Sequence, residues 1–510
     1  MAPANTPENG SCPRFLFAAL AVALWLLLLA FSRTDLSVSM RPAQLVAFFA
    51  AFAVFCLAVG LVWRLGHRLP PRVVWFILLV GVFYRVSLAP MRPVTTSDVY
   101  RYLWEGRVIN RGHNPFREPP DSPALAPLRD WVWSHLEFKQ VPAAYPPAAQ
   151  YVFALADRLP ADRITTLKLV FAAFDIGTVF VLYGLLIRLR RPRGWILLYA
   201  WHPLIVGEVV ARGHFDSVGI FFLALALWLF TTPSATLSSR ATRNPERPEG
   251  VRERVMRGIK TFGADRREAT AFVLSGAALA ASVLAKGYAL FTLPFFLLAA
   301  RPQRGWWALG LTITAVVLYL PFASAGTDLS RGLEMYSTQW HGYASVYHIV
   351  RWIAGGLAKN ADHAARATCA LLFLAWLTFL AVRSSRLFAS SPLRLFDVSF
   401  LALAAFFLLS PVLYTWYLSW TVPFLCLRKR PAWLLFTGTE FLFYTYCWSP
   451  LGSELWWVKV LEYGPPLALA LFLAARRGRS LPEPWPLDPG PCEEETPASP
   501  PKQGETLLRP

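Results

Sequence analysis

Inside a lipid bilayer every backbone N–H and C=O must be paired within the protein, so a chain dominated by long apolar runs has few folds open to it. This chain carries about fourteen such runs, at 15–31, 44–62, 72–89, 167–187, 195–210, 217–231, 269–285, 288–300, 306–322, 367–382, 397–411, 413–427, 432–448 and 457–474. Each is near the length at which a helix crosses hydrocarbon. With 55% hydrophobic and only 16% charged residues, a string of soluble domains is excluded. The expected fold class is an all-α polytopic membrane protein, a bundle of about 12–14 transmembrane helices with short extracytoplasmic loop helices.

The net charge of +19 would point to nucleic acid in a soluble protein, but here the Lys and Arg sit in short loops between apolar runs. No nucleic-acid partner is expected; membrane lipids are. With a cytoplasmic N-terminus, the loops holding Arg64, Arg68 and Arg72, then Arg188 to Arg193, then 232–268, Arg301 and Arg304, Arg383 and Arg386, Arg428 to Arg430, and Arg476 to Arg479 all fall inside. That holds only if the apolar stretch from Tyr145 to Ala156, too short to span, forms an interfacial or re-entrant helix. The expected organisation is a transmembrane domain over 1–475, with an extracytoplasmic loop at 90–166 and a basic cytoplasmic loop at 232–268. A disordered cytoplasmic tail at 476–510 follows. The first run lacks a small-residue cleavage site and reads as an uncleaved helix. An integral, multi-pass membrane protein is expected. Cys12, Cys56, Cys369, Cys426, Cys447 and Cys492 show no CxxC or zinc-like spacing and read as small core residues.

Within the 90–166 loop one segment is dense in polar and aromatic side chains, from Thr95 to Phe116. Thr96 or Ser97 can cap a helix, Asp98 falls in the first turn where the dipole favours a carboxylate, and Gly112 with Pro115 ends it. The spacing predicts a helix from about Asp98 to Arg111. Asp98, Arg101 and Glu105 share one face, with two carboxylates flanking a guanidinium. Tyr100, Trp104, Arg107 and Arg111 share a neighbouring face, where aromatic rings beside guanidinium groups suit a sugar attached to phosphate. A solvated, salt-bridged surface helix has the same pattern; position at the mouth of a membrane domain favours function.

A second cluster runs from Trp201-His202-Pro203 through Glu208 to Arg212-Gly213-His214-Phe215-Asp216. Ionisable groups at the membrane edge are functional by default, although His214 and Asp216 would also cap the next helix. Lys286 either pairs with a phosphate or snorkels to the interface. A third cluster, Ser410-Pro411 through Tyr414, Trp416, Tyr417 and Trp420, reads as a broken helix lining a cavity or as an interfacial aromatic belt. Loop 323–366 adds Trp340 and His341. No GxGxxG, Walker loop, HExxH or DxD occurs, which argues against nucleotide-driven transport, zinc proteolysis and a nucleotide-sugar/metal site.

From Ser97-Asp98-Val99-Tyr100-Arg101-Tyr102-Leu103-Trp104-Glu105-Gly106-Arg107, through Gly112-His113-Asn114-Pro115-Phe116 and Tyr145-Pro146-Pro147, the sequence resembles the GT-C superfamily of integral-membrane glycosyltransferases. It is most similar to bacterial polyprenol-phosphate-mannose-dependent mannosyltransferases (glycosyltransferase family 87-like) and, more distantly, to the eukaryotic GPI mannosyltransferase that adds the first mannose. The His214–Asp216 segment, the Lys286 turn and Ser410 to Trp420 resemble later motifs of those families in the same order.

The resemblance implies a GT-C-type bundle in the plasma (inner) membrane of a bacterium and transfer of a hexose, mannose foremost, from a polyprenyl-phosphate donor to a lipid or glycan acceptor on the extracytoplasmic face, with inversion. Asp98 matches the catalytic acid, and Glu105 is the second candidate. Tyr100, Arg101, Trp104, Arg107, Arg111, Tyr145, His214, Asp216, Lys286, Trp340, His341, Tyr414, Trp416 and Tyr417 are candidates for substrate binding. A single Asp stands where some relatives carry paired acids, so no metal or other cofactor is expected. The rival class is a secondary transporter or flippase of a lipid-linked sugar; the absence of an inverted repeat in the sequence counts against it.

Overall fold

The computed structural model describes residues 12–33, 40–93, 96–159, 163–231, 251–301, 303–339, 346–358, 360–385, 388, 393–449 and 455–477. Every apolar run builds helix, and no strand occurs among the described residues. Among the described residues eight helices are long and apolar enough to cross a bilayer, fewer than the 12–14 spans expected: Arg14–Ser32, Pro42–Arg68, Pro71–Leu88, Arg163–Arg188, Arg266–Ala285, Arg304–Thr338, Ala361–Ser384 and Trp456–Arg476. A ninth span results if Arg193–Ala200 and Ile205–Ala211, bent by 53° where Pro203 falls, are taken together. The fold is the all-α polytopic bundle that the sequence predicts.

The remaining runs are shorter, Asp216–Phe230 and Gly287–Ala299 among them, or mix 3-10 and α turns as in Thr415–Thr421 with Val422–Leu425. Short and irregular helices are tolerated at membrane depth where protein surrounds them. Asp216–Phe230 meets that condition, with Val218, Ile220, Leu223 and Leu227 all buried.

The outer helices show which face meets lipid. Pro71–Leu88 buries Val73, Ile77, Gly81, Tyr84 and Leu88, while Trp75, Leu79 and Phe83 point outward, Leu79 with 67% of its surface open. Exposed apolar stripes of this kind on several long helices need hydrocarbon around them. Between helices, small residues permit contact at backbone distance. A Cβ on Gly276 would stand 2.0 Å from the Trp307 carbonyl oxygen, and one on Gly310 would stand 1.9 Å from that of Val273. Deeper in, Arg85 and Asp175 are both fully buried with Nε 2.6 Å from Oδ2. Arg85 Nη1 also donates to the carbonyls of Gly81 and Ala200, at 2.8 and 2.7 Å, and the Tyr199 hydroxyl donates to the other Asp175 oxygen. One ion pair thus joins three segments.

Over one end of the bundle lie two loop helices, Asp98–Asn110 and Pro147–Arg158. The second has 12 residues, too few to span, as the length of that apolar stretch predicts. They pack backbone to backbone: a Cβ on Gly106 would fall 2.3 Å from the Phe153 carbonyl oxygen. A second apolar cluster, with Tyr102, Trp104, Phe153, Phe171 and Phe215 among its members, seats this layer on the spanning helices. The 232–250 part of the basic loop and the tail from 478 lie outside the described residues.

Candidate active site

Asp98 opens its helix with the N–H bonded to the Thr96 hydroxyl at 3.2 Å, while Ser97 occupies the N-cap position without a side-chain bond. The other end closes as expected. Gly112 takes φ +81°, and the N–H groups of Gly112 and His113 return to the carbonyls of Ile109 and Val108, the bond pattern of a glycine-terminated helix. The Asp98 carboxylate therefore sits at the positive end of the dipole with 36% of the side chain open. The Tyr102 hydroxyl, one turn on, points a donor at Oδ2 from 3.3 Å.

A second segment meets it from the bundle. After Pro203 the chain winds a π-helical turn over Ile205–Ala211, an insertion geometry frequent at functional sites, and this turn carries Glu208. Gly213 follows at φ +80°, and a side chain there would press against Val99 and Lys168, so only glycine lets the segment approach the loop helix this closely. The next residue, His214, is 1% exposed and stands between two carboxylates. Nδ1 is 3.8 Å from Asp98 Oδ2 and Nε2 is 3.5 Å from Glu208 Oε2. The imidazole lies flat on the Trp416 ring at 4.0 Å, and Trp416 stacks in turn on Tyr414 at 4.5 Å. Glu208 Oε1 accepts from Arg212 Nη1 and, at 3.0 Å, from the Tyr444 hydroxyl.

Beside this row is a third carboxylate. Asp216, fully buried, receives the Lys286 ammonium on both oxygens, at 2.9 and 2.8 Å, and the Trp420 indole N–H at 2.7 Å. The ammonium is ringed by Phe215, Tyr288 and Tyr417 at 5.1, 5.6 and 4.9 Å, close enough for cation–π attraction. The Tyr417 hydroxyl meets that of Tyr336 at 2.6 Å.

Burial pushes the Asp98 carboxyl above the ordinary carboxylate range, with Asp216 and Glu137 adding to the rise and Lys286 and Tyr102 opposing it. Burial also holds the His214 imidazole well below its usual value, reinforced by the Lys286 and Arg212 charges. The arrangement is a carboxyl group of raised basicity backed by an imidazole that resists protonation.

Residues 15–302, which contain Asp98, Glu208, His214, Asp216 and Lys286, match the family model described as MptA_B family, alpha-(1->6)-mannopyranosyltransferase, N-terminal domain. The chain belongs to the MptA_B family. It is a membrane-embedded mannosyltransferase, as the resemblance implied at that level. No curated protein and no solved structure matches the chain.

The remaining sequence candidates of this MptA_B-family protein are placed as follows. Tyr145 packs edge-on against Tyr102 and Phe215, beside Asp98. Arg101 does not bracket Asp98. Its Nε goes to Glu105 at 2.7 Å, and its other donors clamp the carbonyls of Phe138, Val141 and Pro142. Glu105, 2% exposed, accepts from Arg101 and from Gln150 Nε2 at 2.6 Å, which makes it a buried strut of the loop layer. Arg107 is 2.7 Å from Asp130, Trp104 is buried, and Tyr100 stacks on His135. These three face the loop and not the Asp98 row, because the loop between the two helices folds back over that face. Arg111 is exposed at the far end of the helix, about 20 Å from Asp98. Trp340 and His341 lie outside the described residues.

Sequence reasoning left Tyr336 and Tyr444 unnamed and noted Tyr102, Glu208 and Trp420 without assigning them a role. Tyr102 carried a signal, four residues after Asp98 and so on the same face. Glu208 carried another, an acid within an apolar run. Among the described residues no three His, Cys, Asp or Glu side chains are grouped to hold a metal ion.

Proposed function

We propose that this protein transfers mannose from a polyprenyl-phosphate donor to a hydroxyl of a lipid or glycan acceptor, with inversion, on the extracytoplasmic face. The observation that carries the reading is the Asp98 carboxylate. It is partly open, raised in basicity by burial, and within the field of the Lys286 charge. In one displacement the acceptor oxygen bonds to the sugar C1 as its proton passes to Asp98, and the C1–O bond breaks with its electron pair going to the phosphate oxygen. Lys286, although paired with Asp216, is a cation whose charge reaches Asp98, and it supplies positive charge toward the leaving phosphate; Arg107 faces Asp130, and Arg111 lies about 20 Å along the helix. The stacked Trp416 and Tyr414 offer an aromatic face for the sugar.

The alpha-(1->6) linkage in the family description supports a primary 6-hydroxyl of a mannose-bearing acceptor. An α product formed with inversion requires a β-linked donor. The charge distribution supports placing loop 90–166 outside, with 232–268 and the tail in the cytoplasm. The test uses membranes carrying the full chain with radiolabelled polyprenyl-phosphate mannose and, separately, radiolabelled GDP-mannose under conditions that block lipid charging. Transfer from the lipid donor alone, lost in Asp98→Asn, is expected. Transfer from GDP-mannose directly would refute the donor class.

A further inference from the structure

A general base that has taken a proton must lose it again before it can act on the next acceptor. Behind Asp98 the structure offers a group for that step. His214 is 1% exposed, neither ring nitrogen closes a hydrogen bond, and each faces a carboxylate oxygen, Asp98 Oδ2 at 3.8 Å and Glu208 Oε2 at 3.5 Å. Glu208 Oε2 likewise has no hydrogen-bond partner, although Oε1 has two. Unpaired buried nitrogen and oxygen atoms are costly, and a row of them in line is not explained by packing. The Trp416 face fixes the plane of the ring, so that small rotations carry Nδ1 toward Asp98 and Nε2 toward Glu208.

We propose that His214, oriented by Glu208, is a positioning residue that relays the proton away from Asp98. This rests on the reading of Asp98 as the base. At rest the imidazole is neutral, its Nε2–H directed at Glu208 Oε2 and its Nδ1 lone pair at Asp98. When Asp98 has received the acceptor proton, that proton moves to Nδ1, and the imidazolium stands between two carboxylates that both stabilise it. Asp98 is again ionised while the new glycosidic bond forms, which disfavours return of the proton to the product oxygen. After product leaves, the proton passes back to Asp98, whose side chain is 36% open, and on to water, so His214 serves to hold the proton and keep Asp98 ionised while product occupies the site. Both gaps exceed hydrogen-bond length and close by under 1 Å, as sites do when substrate seats.

The charges that act on His214 come from every element around it. Asp98 and Tyr102 face it from the loop helix, Glu208 and Arg212 from the π turn, Asp216 and Lys286 from the bundle, and Tyr444 from behind Glu208. Burial, Lys286 and Arg212 oppose protonation, so the imidazolium is a short-lived state.

The experiment measures turnover in membranes with radiolabelled polyprenyl-phosphate mannose for wild type, His214→Ala, His214→Gln and Asp98→Asn. Both His214 variants should lose roughly tenfold to hundredfold in turnover while the donor KM stays within about twofold. Imidazole added to His214→Ala should restore turnover, and 4-methylimidazole should restore more than the weakly basic 1,2,4-triazole. Near-wild-type turnover in both His214 variants, rescue that ignores basicity, or failure of both variants to accumulate in the membrane would each overturn the relay. If Asp98→Asn is dead while the His214 variants are active, only the relay falls. If Asp98→Asn stays active, the assignment of the base falls first.

Discussion

Asp98 and Glu105 share one helix seven residues apart, yet their surroundings assign them opposite consequences on neutralisation. Glu105 is 2% exposed and accepts two short bonds, from Arg101 at 2.7 Å and Gln150 at 2.6 Å. Glu105→Gln removes the charge that Arg101 faces and puts an amide where only an acceptor fits. Breaking one side of a buried pair costs about 3–5 kcal/mol, so the thermal midpoint in detergent should fall by several degrees, with per-molecule turnover close to wild type in the folded fraction. Asp98 is partly open and has one weak side-chain donor, Tyr102 at 3.3 Å, so Asp98→Asn removes little structure.

The folded-state pKa of Asp98 is raised, so the folded protein holds more protons than the unfolded chain above the ordinary carboxylate value. The stability from its neutral form is full below that value and is lost as pH rises through the folded pKa. An asparagine, neutral throughout, should therefore leave the midpoint at pH 7 unchanged or slightly higher. Turnover should fall by a factor of ~10²–10⁴, about 3–5 kcal/mol in the barrier. Fluorescence-detected thermal denaturation of the solubilised protein, beside the radiolabelled transfer assay on the same preparations, separates the two effects. A stable but inactive Glu105→Gln, together with an active Asp98→Asn, would refute the reasoning.

The same raised basicity sets a pH limb: turnover should fall as pH drops through the Asp98 pKa, and the fall should begin above the ordinary carboxylate range, read from kcat/KM against pH. Trp420→Phe removes the indole donor to Asp216, a charge-assisted bond worth about 1.5–3 kcal/mol, and should lower the thermal midpoint and raise the donor KM through looser placement of Lys286. With Lys286 supplying the positive charge, transfer should survive EDTA; full loss restored by manganese or magnesium would show a required cation. A cysteine introduced at 250 should be labelled by an impermeant reagent only after the membrane is opened, and labelling in intact cells would invert the proposed topology.

What could be read without coordinates divides along a physical line. The helix at Asp98, its glycine stop at Gly112 and the short helix after Pro146 follow from local signals, and local signals were sufficient. The run at Pro411 was legible as a broken helix, but the 53° bend of the run containing Pro203 was not, since packing by neighbours decides how far such a helix bends. Side-chain pairing was legible only within one helix face, and even there Arg101 found carbonyls of a distant loop more accessible than Asp98. That His214 would meet both Asp98 and Glu208, or that Trp420 would reach Asp216, depends on how separate segments cross, and no spacing encodes it.

The Arg85–Asp175 pair also bears on how the chain enters the membrane. Each residue belongs to a different apolar span, and the two are separated in synthesis by the whole of loop 90–166. When the span bearing Arg85 leaves the translocon, its partner has yet to be made, and the guanidinium, in the last turn of Pro71–Leu88, must reach toward the interface until that partner is available. Its burial against Asp175 therefore follows synthesis of the later span, which makes the order of emergence part of how this bundle assembles.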